Sequence, residues 1–212
     1  MSISRPINEK ELLNREATGL FRASRFIRNI ASPDNKIDVD VIREIHTCIF
    51  KEAWPEIAGQ WRREDLEIKK SEHHPPAWQD IPLLMREIDK ELQEKIKNLV
   101  PIHAHIMGAR EITDEESIMM GVIIMEAAWI HHKIAYVHPF RDGNGRTARL
   151  VANLILESFG LIGISVKVER ENKNRYLFAL REIDRTQNYE PLCGIIADGI
   201  IERYDGADLR LL

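Results

Sequence analysis

Twelve consecutive residues hold the densest chemistry in this chain: His138-Pro139-Phe140-Arg141-Asp142-Gly143-Asn144-Gly145-Arg146-Thr147-Ala148-Arg149. Gly143 and Gly145 flank Asn144 just ahead of a predicted helix. In that setting backbone amides point into one concavity and the helix dipole adds positive potential, so the loop suits a phosphate. It is not a P-loop, because no glycine is followed five residues later by Gly-Lys-Ser/Thr, and it lacks the strand-turn-helix setting of a dinucleotide fingerprint. Arg146 and Arg149 are three apart and share a helix face as a fork for further phosphates. Asp142 offers the hard oxygen that Mg2+ uses when it is shared with substrate phosphates. His138, expected to be held extended by Pro139 at the loop's entrance, is placed to take a proton from an incoming hydroxyl. Singly, a glycine pair is an ordinary turn and a histidine an ordinary packing residue. A base, a carboxylate, an amide cradle and two arginines within one short loop are together a set for phosphoryl or nucleotidyl transfer.

Helices must position this loop. Leu12, Leu13, Glu16, Leu20 and Ala23 predict a helix from Glu9 to about Asn29, closed by Ser32-Pro33, and a second begins near Asp38 or Asp40 and runs through Val41, Ile45 and Ile49. Between Trp54 and Trp78 the period fails, and Pro55, Gly59 and Pro75-Pro76 predict a long loop holding a short hairpin. Helix returns over Ile81 to Leu99. Thr113 and Glu116 have capping-box spacing, and behind them Ile118, Val122, Met125, Trp129 and His132 form the apolar stripe of a central helix that Pro139 ends near Val137. A further helix starts near Arg146 and ends at Phe159-Gly160, followed by two more at about 172–187 and 190–204.

The chain has 212 residues, 44% of them hydrophobic, enough for one core without disulfide or metal. The net charge of −4 argues against a nucleic-acid coat, yet His138 to Arg185 carries nine basic and six acidic residues, so the positive charge is local. Cys48 and Cys193 read as two half-buried free thiols of a reducing compartment. The longest apolar run, Ile118 to Ile130, contains Glu126 and is too short to span a bilayer, and Met1 to Glu9 lacks the pattern of a secretory signal. The expected location is cytoplasmic, with no membrane and no nucleic-acid partner.

The loop resembles the Fic motif, His-x-Phe-x-Asp/Glu-Gly-Asn-Gly-Arg-x-x-Arg, with every specified position matched. The resemblance extends through Phe50-Lys-Glu-Ala-Trp-Pro-Glu-Ile-Ala-Gly-Gln-Trp-Arg62, Ile81-Pro-Leu-Leu-Met85, Tyr176 and Tyr189-Glu-Pro-Leu192, over roughly residues 40 to 200. It implies a mainly α fold, a helical bundle with a small β-hairpin flap beside the motif loop, placed here within about 66–76. It also implies transfer of AMP from ATP to a Ser, Thr or Tyr hydroxyl of a protein aligned by that flap. By the same resemblance His138 is the general base, Phe140 anchors the loop, and Asp142 binds Mg2+. Gly143, Asn144 and Gly145 form the anion cradle, while Arg146 and Arg149 hold the β and γ phosphates. The expected division is an N-terminal helix over 1–35, a Fic core over 36–205 and a tail over 206–212, in one compact unit. Self-modification and a homodimer stay open, as do another nucleotide donor, phosphate transfer, and a toxin module neutralised by a separate partner.

Many Fic proteins carry an inhibitory helix with Ser/Thr-x-x-x-Glu-Gly/Asn, whose glutamate pairs with the second motif arginine, here Arg149. Glu16 stands 122 residues before His138, the spacing this resemblance implies, although Leu12 and Ala17 replace the flanking motif residues. Glu202, with Asp198 four residues before it, is the rival position. The histidine pairs His73-His74, His103 with His105, and His131-His132 lack metal-ligand spacing, and Trp54, Trp61 and Trp78 read as packing anchors. Lys173, Arg175 and Tyr176 either approach the nucleotide from the following helix or form its solvated face.

Overall fold

Helix caps written into the sequence set the element boundaries. The structure, a computed structural model, describes residues 4–68, 73–164 and 170–205. Asn8 accepts the Glu11 N–H at the start of α1 (Glu9–Ile30), and Asp38 accepts the Val41 N–H at the start of α2 (Val39–Phe50). The bundle continues with α3 (Ile81–Gly108), α4 (Asp114–Val137), α5 (Asn144–Ser158), α6 (Arg170–Thr186) and α7 (Glu190–Asp205). The Thr113–Glu116 capping box opens α4 as expected, and Gly160 takes the left-handed conformation (φ 89°) just past α5.

Helices α4 and α5 form the centre. α5 is enclosed on nearly every side, with Leu150, Val151, Leu154, Ile155 and Leu156 all buried, so the helix that begins at the motif loop is also the best-anchored helix in the fold. α1 lies across α2 and α5. Gly19 makes the close approach possible, because a Cβ there would sit 2.0 Å from the Ile49 carbonyl oxygen. On either side of it, Arg15 donates to the Glu52 carbonyl (2.9 Å), and Arg22 donates to the Cys48 carbonyl (3.0 Å) and the Glu52 carboxylate (2.5 Å). These guanidinium groups satisfy carbonyls that the end of α2 leaves without helical partners. Cys48 and Cys193 are free and half-buried, and the three tryptophans pack against the core edge.

Several expectations are corrected. The third helix does not stop at Leu99 but runs through Pro101 to Gly108, because it continues to bury Ile106. The apolar stripe expected along α4 is exposed in its first half: Ile118 is 71% exposed and Val122 and Met125 also face outward, while Ile123, Ala127, Ile130 and Ile134 are buried. α4 is apolar on most sides, so period alone does not select its inner face. By length and composition α4 would pass for a membrane-crossing helix, though its second half lies inside the bundle. Among the described residues there is no strand pair, so the β-hairpin flap is not found. Positions 66–68 and 73–76 run without ladder pairing, and 69–72 lie outside the described residues. The only antiparallel bridge described joins Trp61 to Phe140.

Candidate active site

The last turn of α4 delivers His138 to the mouth of the loop in an unexpected conformation. It is not extended: it is left-handed (φ 51°, ψ 55°), with its N–H still bonded to the Ile134 carbonyl at 3.0 Å. Pro139 keeps it out of the right-handed helical region, and the helix ends through a left-handed residue. There its Nδ1 lies 3.0 Å from the Ala135 carbonyl oxygen. A carbonyl only accepts, so Nδ1 carries the proton and Nε2 keeps its lone pair. Burial lowers the pKa of His138 against the opposing pull of the Ala135 bond, and the nearby His73 and Arg62 charges push it the same way as burial.

The loop itself is tied from within. Asn144 is buried, accepts the Phe140 N–H through Oδ1 (2.9 Å) and donates to the Phe140 carbonyl through Nδ2 (2.8 Å). Its side chain is therefore a brace for the loop, and the residue also borders the cavity beside Gly143 and Gly145. Helix α5 starts at Asn144 rather than near Arg146, so the amides of 144–146 lie in its first turn. Gly143 has φ 77°, and a Cβ there would meet the Phe50 ring at 2.3 Å. Beneath it lies a residue that no local pattern revealed. His46 is buried and stacked on Phe140 with ring centroids 3.8 Å apart; its Nδ1 accepts the Gly59 N–H (2.9 Å) and its Nε2 donates to the Asp142 carbonyl (3.0 Å). Burial holds its pKa at about 4.

The charged groups converge on a cavity of about 320 Å3 bounded by Ile68, His138, Asp142, Gly145, Arg146 and Arg149. The Asp142 carboxylate accepts from its neighbour Gly143 N–H (2.5 Å) and from Arg146 Nη2 (3.1 Å). Arg149 is half-buried and shares a cavity wall with Tyr176, whose hydroxyl is 3.3 Å from His131 Nε2. A larger cavity of about 780 Å3 shares His138 and Arg149 and opens toward α6 at Lys173, Tyr176 and Asp184. Arg175 instead pairs with Asp198 on the surface.

The pattern of the Fic/DOC family matches residues 36–156, more than half of the chain. This chain belongs to the Fic/DOC family. Among curated relatives, protein adenylyltransferase Fic of Nematostella vectensis is 30% identical over 169 residues, 78% of this chain and 34% of that protein. The chain thus spans about a third of the length of the curated relatives it matches. Fic-1 (residues 134–508) from C. elegans superposes with a TM-score of 0.62 at 25% identity, covering 98% of this chain and 54% of that one. BepC, a VirB-translocated Bartonella effector protein from Bartonella tribocorum solved with bound AMPPNP, gives 0.65 at 18% identity, covering 91% of this chain and 87% of that one.

Within this Fic domain Glu16 does reach the motif, but not at the expected partner. Its Oε2 lies 2.6 Å from Arg146 Nη1, whereas Arg149 faces the cavity that Tyr176 also lines. The reason is geometric: Arg149 points back toward α6, and Arg146 is the arginine on the side that α1 crosses. Glu202, the rival, is exposed on α7 and lines neither cavity. Among the described residues no three His, Cys, Asp or Glu side chains form a metal-binding group.

Proposed function

We propose that this Fic domain transfers AMP from ATP to a Ser, Thr or Tyr hydroxyl of a protein. The observation that carries the reading is the protonation pattern of His138: Nδ1 is committed to the Ala135 carbonyl, leaving Nε2 as a free base on the wall of a cavity that also holds two arginines and a helix N-terminus. The target oxygen attacks the α-phosphorus and its proton passes to Nε2. The bond to the bridging oxygen breaks, and pyrophosphate leaves. Arg149, the first-turn amides of α5 and the helix dipole hold the phosphates. The name adenylyltransferase on the curated relatives and the AMPPNP in BepC support ATP as the donor.

Asp142 fits one Mg2+. Its carboxylate is exposed at 48% on the cavity wall, and an ion that keeps most of its waters and phosphate ligands needs only one or two protein carboxylates. Bound there, Mg2+ would neutralise phosphate charge. The 66–76 segment, whose Ile68 borders both cavities, is the proposed docking side for the target.

Glu16 is the proposed brake. Its side chain is 14% exposed and that of Arg146 is 22%, so the pair is shielded and occupies a guanidinium that would otherwise face phosphate. Incubation with ATP followed by mass spectrometry tests the transfer. An added AMP, lost in His138→Ala by about 10²-fold or more, is the expected result; an added phosphate alone, or full transfer by His138→Ala, overturns it.

A further inference from the structure

Arg62 lies behind the loop, lines neither of the two cavities just described, and its side chain is wholly buried (0% exposed). Its guanidinium spreads across three backbone carbonyls from two separate stretches of chain. Nε donates to His138 O (2.9 Å), Nη1 to Glu64 O (2.9 Å) and Nη2 to Pro76 O (2.5 Å). Its own N–H donates to Pro139 O at 2.8 Å. Asp65, 3.6 Å from Nη1, accepts the Trp78 N–H at 2.9 Å, which closes the same loop a second time.

We infer that Arg62 is a positioning residue that ties the backbone of His138 to the Glu64 and Pro76 carbonyls, so that the base is held in its working conformation. The inference rests on the reading of His138 as the base.

Three features of the site support this role. Burying a guanidinium costs several kcal/mol unless it is well paired. Here the nearest carboxylate belongs to Asp65, at 3.6 Å and 72% exposed, too distant and too hydrated to be the main compensation. Simple packing would be served as well by an apolar side chain; what needs a planar fork is the set of carbonyls, which would otherwise be orphaned. Second, His138 is left-handed without glycine's freedom, which is a strained backbone conformation. The bonds to His138 O and Pro139 O hold the chain in that conformation. Third, that conformation accompanies the Nδ1 contact with Ala135 that leaves Nε2 unprotonated. Lysine has the charge but not the fork, and its tetrahedral donors cannot serve carbonyls on three sides in one plane.

The test is a double-mutant cycle on Glu16→Gly protein, reading the rate at which label from ATP enters total protein in a cell extract at saturating ATP. Nucleotide affinity is measured separately with a fluorescent ATP analogue. Arg62→Gln and Arg62→Lys are each expected to slow labelling by about tenfold or more, the scale of a misplaced catalytic group, with nucleotide affinity within about threefold of the parent. In a His138→Ala background Arg62→Gln should add no further loss beyond about threefold, because a residue acting through the base has nothing left to act on. Full labelling by both Arg62 variants, alongside loss in His138→Ala, overturns the inference and leaves the base reading standing. Full labelling by His138→Ala removes the base reading and the inference with it. An Arg62→Gln loss that multiplies undiminished on His138→Ala marks a merely structural residue and also overturns the inference. If Arg62→Gln fails to bind nucleotide, the cycle is read with Arg62→Lys, which keeps the buried charge.

Discussion

Glu16 Oε2 and Arg146 Nη1 meet at 2.6 Å across 130 positions of sequence, and the same guanidinium holds Asp142 through Nη2 at 3.1 Å. One cation thus links the N-terminal helix to the residue proposed for Mg2+. With Glu16 in place, Arg146 already has two carboxylates, which compete with a triphosphate for its charge.

Glu16→Gly is therefore expected to tighten nucleotide binding and raise self-labelling with ATP by about tenfold, the value of one shielded charge-assisted hydrogen bond. Calorimetry gives the affinity and a labelled gel the rate. Unchanged values for both would remove the brake, since the ion pair would then cost the nucleotide nothing.

Gly19→Ala should act like a weaker Glu16→Gly. The added Cβ would stand 2.0 Å from the Ile49 backbone oxygen, a contact neither helix can relieve by turning a side chain, so α1 must shift off α2. Overpacking of this kind costs about 1–3 kcal/mol. The expectation is a lower melting temperature together with faster labelling, an unusual pairing of lost stability and gained activity. A variant that loses stability but stays as slow as the parent would show that Glu16 keeps its place regardless of α1.

The site was readable in the sequence to the extent that it is contiguous. His138, Asp142, Gly143, Arg146 and Arg149 sit within one loop and one helix turn, so their spacing alone brings them together. What is missing is what reaches in from elsewhere. His46 supports Asp142 from 96 positions away and Arg62 holds His138 from 76, and neither has a local pattern that differs from an ordinary core or surface residue. The family resemblance pairs Glu16 with Arg149, whereas it meets Arg146, because linear spacing gives no information about which side of α5 a crossing helix covers. The inner face of α4 is not legible for a related reason: with apolar residues on most sides, the burying face is chosen by α3, α5 and α7.

Asn144 separates bracing from nucleotide contact. Asn144→Ala leaves the Phe140 N–H and carbonyl without partners in the core, an expected loss of about 2–4 kcal/mol. Asn144→Asp keeps the acceptor for the N–H but loses the donor and places a negative charge beside the phosphate loop. Denaturant unfolding should show both variants destabilised, while nucleotide affinity should fall further in Asn144→Asp. Equal affinity in the two would argue that the triphosphate binds away from this loop.

Stability should fall on mild acidification, and His46 is a main reason. Its Nδ1 accepts the Gly59 N–H, so protonation there breaks that bond and charges a buried ring; the folded-state pKa is held at about 4, and that of buried His131 at about 3. The unfolded chain takes up the same protons near pH 6.5. Between those values the unfolded state binds more protons than the native one, so the stability is fully present above about pH 6.5 and is lost as pH falls toward the folded pKa. Each such histidine contributes about 2 kcal/mol of loss between pH 7 and pH 5. That interval lies above the ordinary carboxylate range, so the histidines dominate the slope. Urea midpoints at pH 7, 6 and 5 should decline for the parent protein. His46→Gln should be less stable at pH 7 but show a slope smaller by about one proton over the same range. A His46→Gln slope as steep as the parent's would mean that this ring takes up its proton in the folded state at an ordinary pH, against the burial that surrounds it.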